Sequence, residues 1–256
     1  MTEDSKRRWH PSAGLTLFGR KPALEALMDP LLEIHCLHLA NSNRSGGIIT
    51  QIMTEAERRG IQTRFHDRQT LSHISKNGRQ DQGVALDVIC PGFQALDAVL
   101  ASPTLPRSLL ALDGITNPQN VGMIIRSAVA AGIDGVLYPK RGIASLGPLV
   151  IKASAGTIFR APIISCDTTI SALSSLKPSG FRVAILDAHA TGSIYDLDGR
   201  TPTVCVLGGE SHGISSDVRG LADAALAIPM ANGVESLNVA VTGALVAFQM
   251  VRPAKQ

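Results

Sequence analysis

The sequence predicts an α/β protein in two parts: a small αβ domain, then a larger one with a mostly parallel sheet covered by helices on both faces. Three observations lead there. Strand-length and helix-length patterns alternate from residue 108 onward, as in a parallel sheet with crossover helices. Pro91, Pro103 and Pro106 punctuate the chain around a short helix, Gln94–Ala101, and mark a boundary over 91–107. Hydrophobic residues make up 45% of the 256 and charged residues 18%, which supplies the apolar surface such a core needs.

Residues 1–14 are expected as a disordered tail. The small domain, 15–90, begins with a helix over Lys21–Met28 and a strand within Leu31–Ala40. A second helix from Gly46 carries Ile48, Ile49, Ile52, Met53 and Ala56 at helical spacing and stops at Gly60. A strand over 61–65, a helical turn over 70–75 and a strand over 83–90 complete it. The larger domain, 108–256, has strands near 109–112, 135–138, 182–186, 203–207 and 224–228. After the first of these, Asp113-Gly114 makes a turn and a helix runs from Pro118 to about Ala131, with Asn117 as cap and Gly132 as stop. Val121, Ile124, Ile125, Ala128 and Val129 form its buried stripe. Asn120 and Arg126 lie off that stripe, and Gly122 leaves room beside Arg126. The last helix, from Ser236 to about Val251, is apolar nearly all round; burial on more than one side, partly against a second copy of the chain, is expected.

The net charge of +3 is too mild to identify a polyanionic partner. Its distribution is more informative. Between Asn41 and Gln80, Arg44, Arg58, Arg59, Arg64, Arg68, Lys76 and Arg79 stand against Glu55, Glu57 and Asp67. That excess reads either as a phosphate-facing surface or as a solvated helix face. Cys36, Cys90, Cys166 and Cys205 form no CxxC pair and read as small buried hydrophobes of a reducing compartment. No apolar run is long enough to span a bilayer and Met1–His10 lacks the apolar stretch of a signal peptide, so a cytoplasmic protein is expected. His35 and His38 point to opposite faces of one strand and cannot chelate one ion together, so no metal site is expected.

The strand, loop and helix start around Asn117 form the kind of crevice where open α/β sheets bind ligands. The loop Leu207-Gly-Gly-Glu-Ser-His-Gly-Ile214 allows close approach of a ligand, but it is neither GxGxxG nor a P-loop. Glu210 within it is a catalytic or ligand-orienting carboxylate, or else a solvated acid on an ordinary turn. In Ala227-Ile-Pro-Met-Ala-Asn-Gly-Val-Glu-Ser-Leu-Asn238, Ser236 is a candidate N-cap, and Asn238 needs a partner if buried. The small residues of Ile151–Thr157 suggest tight backbone packing.

Three segments together resemble the SpoU (TrmH-type) family of RNA ribose 2′-O-methyltransferases, within the SPOUT superfamily. They are Asn117-Pro-Gln-Asn-Val-Gly with Arg126-Ser-Ala and Ala131-Gly132; Lys152-Ala-Ser-Ala-Gly156 with Pro162; and Leu207-Gly-Gly-Glu with Gly213, Ile228-Pro-Met and Ser236-Leu-Asn-Val239. The resemblance covers about 108–252. Over 15–90, Phe18-Gly-Arg, Ala23-Leu, Ala26-Leu and Asp81-Gln-Gly-Val84 look like the family's small RNA-binding domain. The third segment has Glu210-Ser-His-Gly213 where the family usually has Glu-Gly-x-Gly, and the small domain has Asp81-Gln82-Gly83 in place of His-Gln-Gly.

The resemblance implies a C-terminal trefoil knot, S-adenosylmethionine as methyl donor, a homodimer, and RNA as substrate, ribosomal RNA first and transfer RNA second. Carried over position by position, it implies catalytic roles for Asn120, Arg126, Glu210, Ser236 and Asn238. It implies a donor pocket at Gly208, Ile228 and Leu237, with Met230, Ala155 and Gly156 nearby. Arg58, Arg59 and Arg64 are the arginines expected to face RNA. Two rival readings are a non-catalytic RNA-binding or ribosome-assembly protein on the same fold and a small-molecule enzyme using the same crevice. Joint retention of Asn120, Arg126, Glu210 and Asn238 speaks against the first, and the separate basic N-terminal domain against the second.

Overall fold

Two sheets organise the chain, one in each of two units that divide between Pro91 and Gly92. The computed structural model describes residues 13–209 and 213–252. The first unit pairs β1 (Gly14–Phe18), β2 (Glu33–Ala40), β3 (Gln62–His66) and β4 (Val84–Ile89) in the order β1-β4-β2-β3. β2 and β3 are parallel, while β4 runs antiparallel to β1 and β2. Between the strands lie α1 (Arg20–Met28), α2 (Gly47–Arg58) and α3 (Arg68–Ser75). α2 is the crossover that a parallel pair requires, and its Ile49, Ile52 and Ala56 are buried at helical spacing. β1 was not expected from the sequence: it begins at Gly14, inside the expected tail, and only residues 1–12 of that tail lie outside the described residues.

The second unit has eight strands in the order β10-β12-β9-β11-β6-β7-β8-β5, and every pairing is parallel. β5 (Gln94–Ala95), α4 (Leu96–Leu100), β6 (Ser108–Asp113), α5 (Pro118–Ala131), β7 (Gly135–Pro139), α6 (Pro148–Ala153), β8 (Ile163–Cys166) and α7 (Thr169–Leu176) come first. β9 (Arg182–Leu186), β10 (Gly192–Ser193), β11 (Thr203–Gly208), α8 (Ser216–Gly220), β12 (Ala224–Ala227) and α9 (Val239–Met250) follow. The short helix expected within 91–107 is α4; what was not expected is that this stretch joins the second unit, where β5 pairs with β8 and Leu96 and Val99 of α4 enter the core. β6 and β11 lie side by side at the centre, with Leu109, Leu110, Ala111, Leu112, Val204, Cys205 and Val206 wholly buried, as expected of a strand pair covered on both faces. From β6 the chain proceeds through α5 to β7 and β8 on one side, while β9 and β12 lie beyond β11 on the other. The winding direction therefore reverses beside β6, and the crevice at the carboxyl ends of β6 and β11 is the switch point where such sheets bind ligands.

Two helices depart from expectation in ways that matter for the site. α5 starts and stops where predicted, with Asn117 accepting the Gln119 N–H at 2.9 Å and Gly132 left-handed. Asn120, however, belongs to its buried face. Gly122 does not make room for Arg126 but faces α6: a Cβ there would lie 2.6 Å from both the Val150 carbonyl oxygen and Ala153 Cβ. α9 begins at Val239 and not at Ser236, because the Asn238 side chain accepts the Ala240 N–H at 2.9 Å and is the cap. One side of α9 (Val239, Ala240, Gly243, Val246, Ala247, Met250) is buried, and Val241, Leu245 and Phe248 form an exposed apolar stripe.

Candidate active site

The site is assembled at the ends of β6 and β11. Their register sets Leu112 beside Leu207 and Asp113 beside Gly208. Beyond them the two chain segments touch through backbone. A Cβ on Gly209 would lie 2.3 Å from the Gly114 carbonyl oxygen, and one on Gly208 2.4 Å from the Gly213 carbonyl carbon. Close approach, not an unusual φ, therefore requires glycine at 208 and 209. The Gly213 N–H returns to the Gly209 carbonyl at 2.8 Å, and the Asp113 carboxylate accepts the Ser215 N–H at 3.0 Å, which ties the loop to β6. Asp-Gly at 113–114 reads in sequence as a turn; this second role of the carboxylate has no local signature. Glu210 lies outside the described residues, as do Ser211 and His212.

Two helix starts meet over this crevice. Asn120, in the first turn of α5, is 3% exposed. Its Oδ1 accepts a hydrogen bond from Asn238 Nδ2 at 3.2 Å, while Asn238 Oδ1 caps α9. One amide thus closes a helix and orients a residue 118 positions away. Gly243 lets the helices approach: a Cβ there would lie 3.0 Å from Leu207 Cδ1 and 3.1 Å from Ile124 Cγ1. Glycine inside so apolar a helix was the available sign of such packing. Arg126 is exposed further along α5, on a different side from Asn120, and takes no part in the amide pair. Ser236 is exposed on the loop before α9 and does not cap it.

The second motif segment packs against the first. Ser154 is wholly buried, with its Oγ donating to the Ile151 carbonyl at 2.9 Å. Its backbone nitrogen lies 3.0 Å from where a Cβ of Gly122 would be. Ala155 (φ 50°) and Gly156 (φ 76°) then turn the chain through two left-handed residues. For an alanine this conformation costs about 1 kcal/mol, so the surrounding structure must hold it. From Ile228 to Leu237 the chain has no regular structure and bends at Asn232 and Gly233, both with positive φ. Ile228 and Leu237 are half-buried and Met230 is 37% exposed.

In the first unit, the three arginines expected to face RNA have different fates. Arg59 donates to the carbonyls of Leu27 (2.8 Å), Asp29 (3.0 Å) and Leu32 (2.5 Å), so it holds the end of α1. Arg58 pairs with Glu55 across one helical turn, and Arg64 reaches Gln62 at 3.3 Å. A polar row crosses the small sheet: Thr16 Oγ1 donates to Asp87 (2.6 Å), Asp87 meets His38 Nε2 (3.0 Å), and His38 Nδ1 meets His66 Nε2 (2.9 Å). Burial alone would lower the His38 pKa, but the hydrogen bond to Asp87 and the contact with Cys36 outweigh it and raise it to about 9. The four cysteines are buried and free, and burial pushes the thiols of Cys90, Cys166 and Cys205 up to about 12. Among the described residues no group of three His, Cys, Asp or Glu side chains is placed to hold a metal, and no helix is long and apolar enough to cross a membrane.

Fold and site together define an α/β enzyme class with its ligand crevice at the switch point beside β6. Residues 107–248 match the SpoU rRNA methylase family, and residues 16–91 match the substrate-binding domain of RNA 2′-O ribose methyltransferases. A protein of Mycolicibacterium vanbaalenii named as a tRNA/rRNA methyltransferase is 35% identical over 239 residues, 92% of this chain and 76% of the relative. A Mycobacterium ulcerans protein of the same name is 35% identical over 239 residues, 93% and 76% of the two chains. The structure of the SpoU methyltransferase AviRb from Streptomyces viridochromogenes, in complex with AdoMet, matches the fold with a TM-score of 0.62 at 21% identity, over 93% of this chain and 90% of that one. An AdoMet-bound rRNA methyltransferase from Sinorhizobium meliloti matches with a TM-score of 0.61 at 21% identity, over 93% and 87%. The chain belongs to the SpoU family of S-adenosylmethionine-dependent RNA methyltransferases.

Proposed function

We propose that this protein methylates a ribose 2′-hydroxyl of structured RNA, ribosomal RNA before transfer RNA, and acts in the cytoplasm as a homodimer with a knotted larger domain. The observation that carries the reading is the Asn238–Asn120 hydrogen bond, which fixes two helix starts over the glycine-lined ends of β6 and β11. The match of the first unit to a substrate-binding domain of RNA 2′-O ribose methyltransferases supports the ribose as acceptor. An added unit able to grip folded RNA favours ribosomal RNA. The insertion of β11 between β6 and β9, with Gly209 pressed onto Gly114, is what a chain threaded at that point would need. The exposed stripe Val241, Leu245 and Phe248 supports a second copy packed on α9.

The residues to hold the donor are the backbone around Gly208, Ile228 and Leu237, with Met230 and the Ala155–Gly156 turn beside them. When bound, S-adenosylmethionine supplies a methyl group already activated by its sulfonium. What the protein must add is orientation and relief of the charge that develops on the 2′-oxygen. Arg126 is exposed, and its guanidinium, a planar fork of donors with no acceptor, suits a two-bond grip on the neighbouring phosphate and stabilisation of that charge, not proton abstraction. Asn120 is buried and bonded to Asn238, so it positions α9 and the loop before it. Ser236, exposed on that loop, is given the part of fixing it, and Glu210 is assigned an orienting role by its place in the third motif.

Arg126→Ala tests the assignment. It should bind the donor and fold as the unaltered protein does, while single-turnover methyl transfer to RNA falls by about 100-fold or more. Turnover close to that of the unaltered protein would refute the role given to Arg126.

A further inference from the structure

The two ends of the small sheet differ in charge. β1, β2 and β3 all finish at one end, where β4 begins, so residues 19–20, 41–47, 66–68 and 79–83 are gathered there. The hydrogen bonds agree. Arg20 donates from its backbone to Gln82 Oε1 (3.2 Å), from Nε to the Gln82 carbonyl (3.1 Å) and from Nη2 to Asn43 Oδ1 (3.4 Å). Asn43 Nδ2 donates to the Gly83 carbonyl at 2.7 Å. Gln82 (φ 51°) and Gly83 (φ 80°) are both left-handed, and a Cβ on Gly83 would lie 2.4 Å from Asn43 Oδ1.

Around this scaffold stand exposed Arg44, Arg68 and Arg79. The two acids at this end are already engaged. Asp81 is wholly buried, accepts from Ser75 Oγ (3.0 Å) and the Gly83 N–H (2.9 Å), and lies 3.5 Å from Arg68. Asp67 accepts the backbone and hydroxyl of Thr70 at 2.8 and 2.9 Å. The opposite end carries Asp29, Glu33, Glu55 and Glu57, and its arginines are spent on Glu55 and on backbone carbonyls.

We infer that the end of the small sheet built on Arg20, Asn43 and Gln82, with Arg44 and Arg79 outermost, grips the phosphate backbone of the substrate RNA. This rests on the reading of the protein as an RNA methyltransferase and moves the RNA contact away from Arg58 and Arg59. The arginines are set along a hydrogen-bonded turn, so the contact proposed is one to phosphates. Asp81 and Gln82 fix the turn from within, which gives the segment Asp81-Gln-Gly83 a structural part in the same contact.

The test is the double variant Arg44→Glu/Arg79→Glu, with Arg58→Gln as control. Binding is measured on unmodified ribosomal RNA transcripts and unmodified tRNA over a salt series, with S-adenosylmethionine binding and thermal unfolding as separate readouts. The double variant should lose about tenfold or more in RNA affinity, and the slope of log affinity against log salt should become shallower by about 2. Donor binding should be unchanged, and Arg58→Gln should bind RNA as the unaltered protein does. Arg44→Gln/Arg79→Gln should give a smaller loss in the same direction if the charge reversal impairs folding. Equal RNA affinity and equal salt slope in both double variants would overturn this inference while leaving methyl transfer to RNA intact. Absence of any RNA binding by the unaltered protein would overturn both it and the functional reading.

Discussion

The Asn238 amide donates to Asn120 Oδ1 at 3.2 Å and at the same time caps α9, so one side chain joins the first turn of the last helix to the first turn of α5. Asn238→Asp should keep the cap but replace the donor to Asn120 by a second acceptor. The expected result is a loss of about 1–2 kcal/mol in chemical denaturation and a fall of about 10- to 100-fold in single-turnover methyl transfer, since the loop before α9 shifts. In a double-mutant cycle with Asn120→Ala the two changes should be strongly non-additive. Additive effects would mean that the hydrogen bond organises nothing.

Glycine-to-alanine changes inside a helix ordinarily stabilise it by about 0.5–1 kcal/mol. Gly122→Ala should have the opposite sign, because the new Cβ would lie 2.6 Å from the Val150 carbonyl and Ala153 Cβ. A destabilisation of about 1–3 kcal/mol by urea unfolding is expected. Stabilisation would show that α5 and α6 are not packed at this glycine.

These two predictions also mark what the sequence made legible. α5 was readable to the residue because Asn117, Pro118 and Gly132 punctuate it locally. The glycines of the third motif were readable as points of close approach, though not which backbone they approach. Asn120 looked like an off-stripe polar residue because its partner is 118 positions away, and no periodicity reports such a contact. The same limit hid the facing of Gly122 toward α6 and the tie from Asp113 to Ser215. β1 and β8 are short and lie beside a polar tail and Pro162, so their alternation is brief. The basic excess was visible over 41–80, but strand direction, which sorts its arginines between the two ends of the sheet, is a property of the fold.

The polar row of the small unit should make its stability depend on pH. His38 is raised to about 9, so its contribution is fully present below its unfolded value of about 6.5 and is lost as pH rises through 9. The effect is at most on the order of 3 kcal/mol. Protonated His38 donates to both Asp87 and His66, which keeps His66 an acceptor. Burial and the neighbouring His38 charge lower the His66 pKa, so its smaller contribution is lost as pH falls below the ordinary histidine range. Denaturation midpoints measured from pH 5 to 10 should therefore decline on the alkaline side, and His38→Gln should flatten that decline. An unchanged alkaline profile in the variant would contradict the charged His38–Asp87 pair.

Phe248→Glu places a charge in the exposed apolar stripe of α9. Sedimentation should show the unaltered protein as a dimer and the variant as a monomer that retains its far-ultraviolet circular dichroism. An unaltered protein that sediments as a monomer at micromolar concentration would remove the second copy from the account.

The central claim is ribose methylation, and the most direct measurement is transfer of labelled methyl from S-adenosylmethionine to unmodified ribosomal and transfer RNA, followed by alkaline hydrolysis. A 2′-O-methyl group blocks cleavage of the adjoining phosphodiester, because the attacking hydroxyl is gone. The account predicts label in alkali-resistant dinucleotides, with ribosomal RNA the better substrate. Label released only as mononucleotides would place the methyl on a base and contradict it.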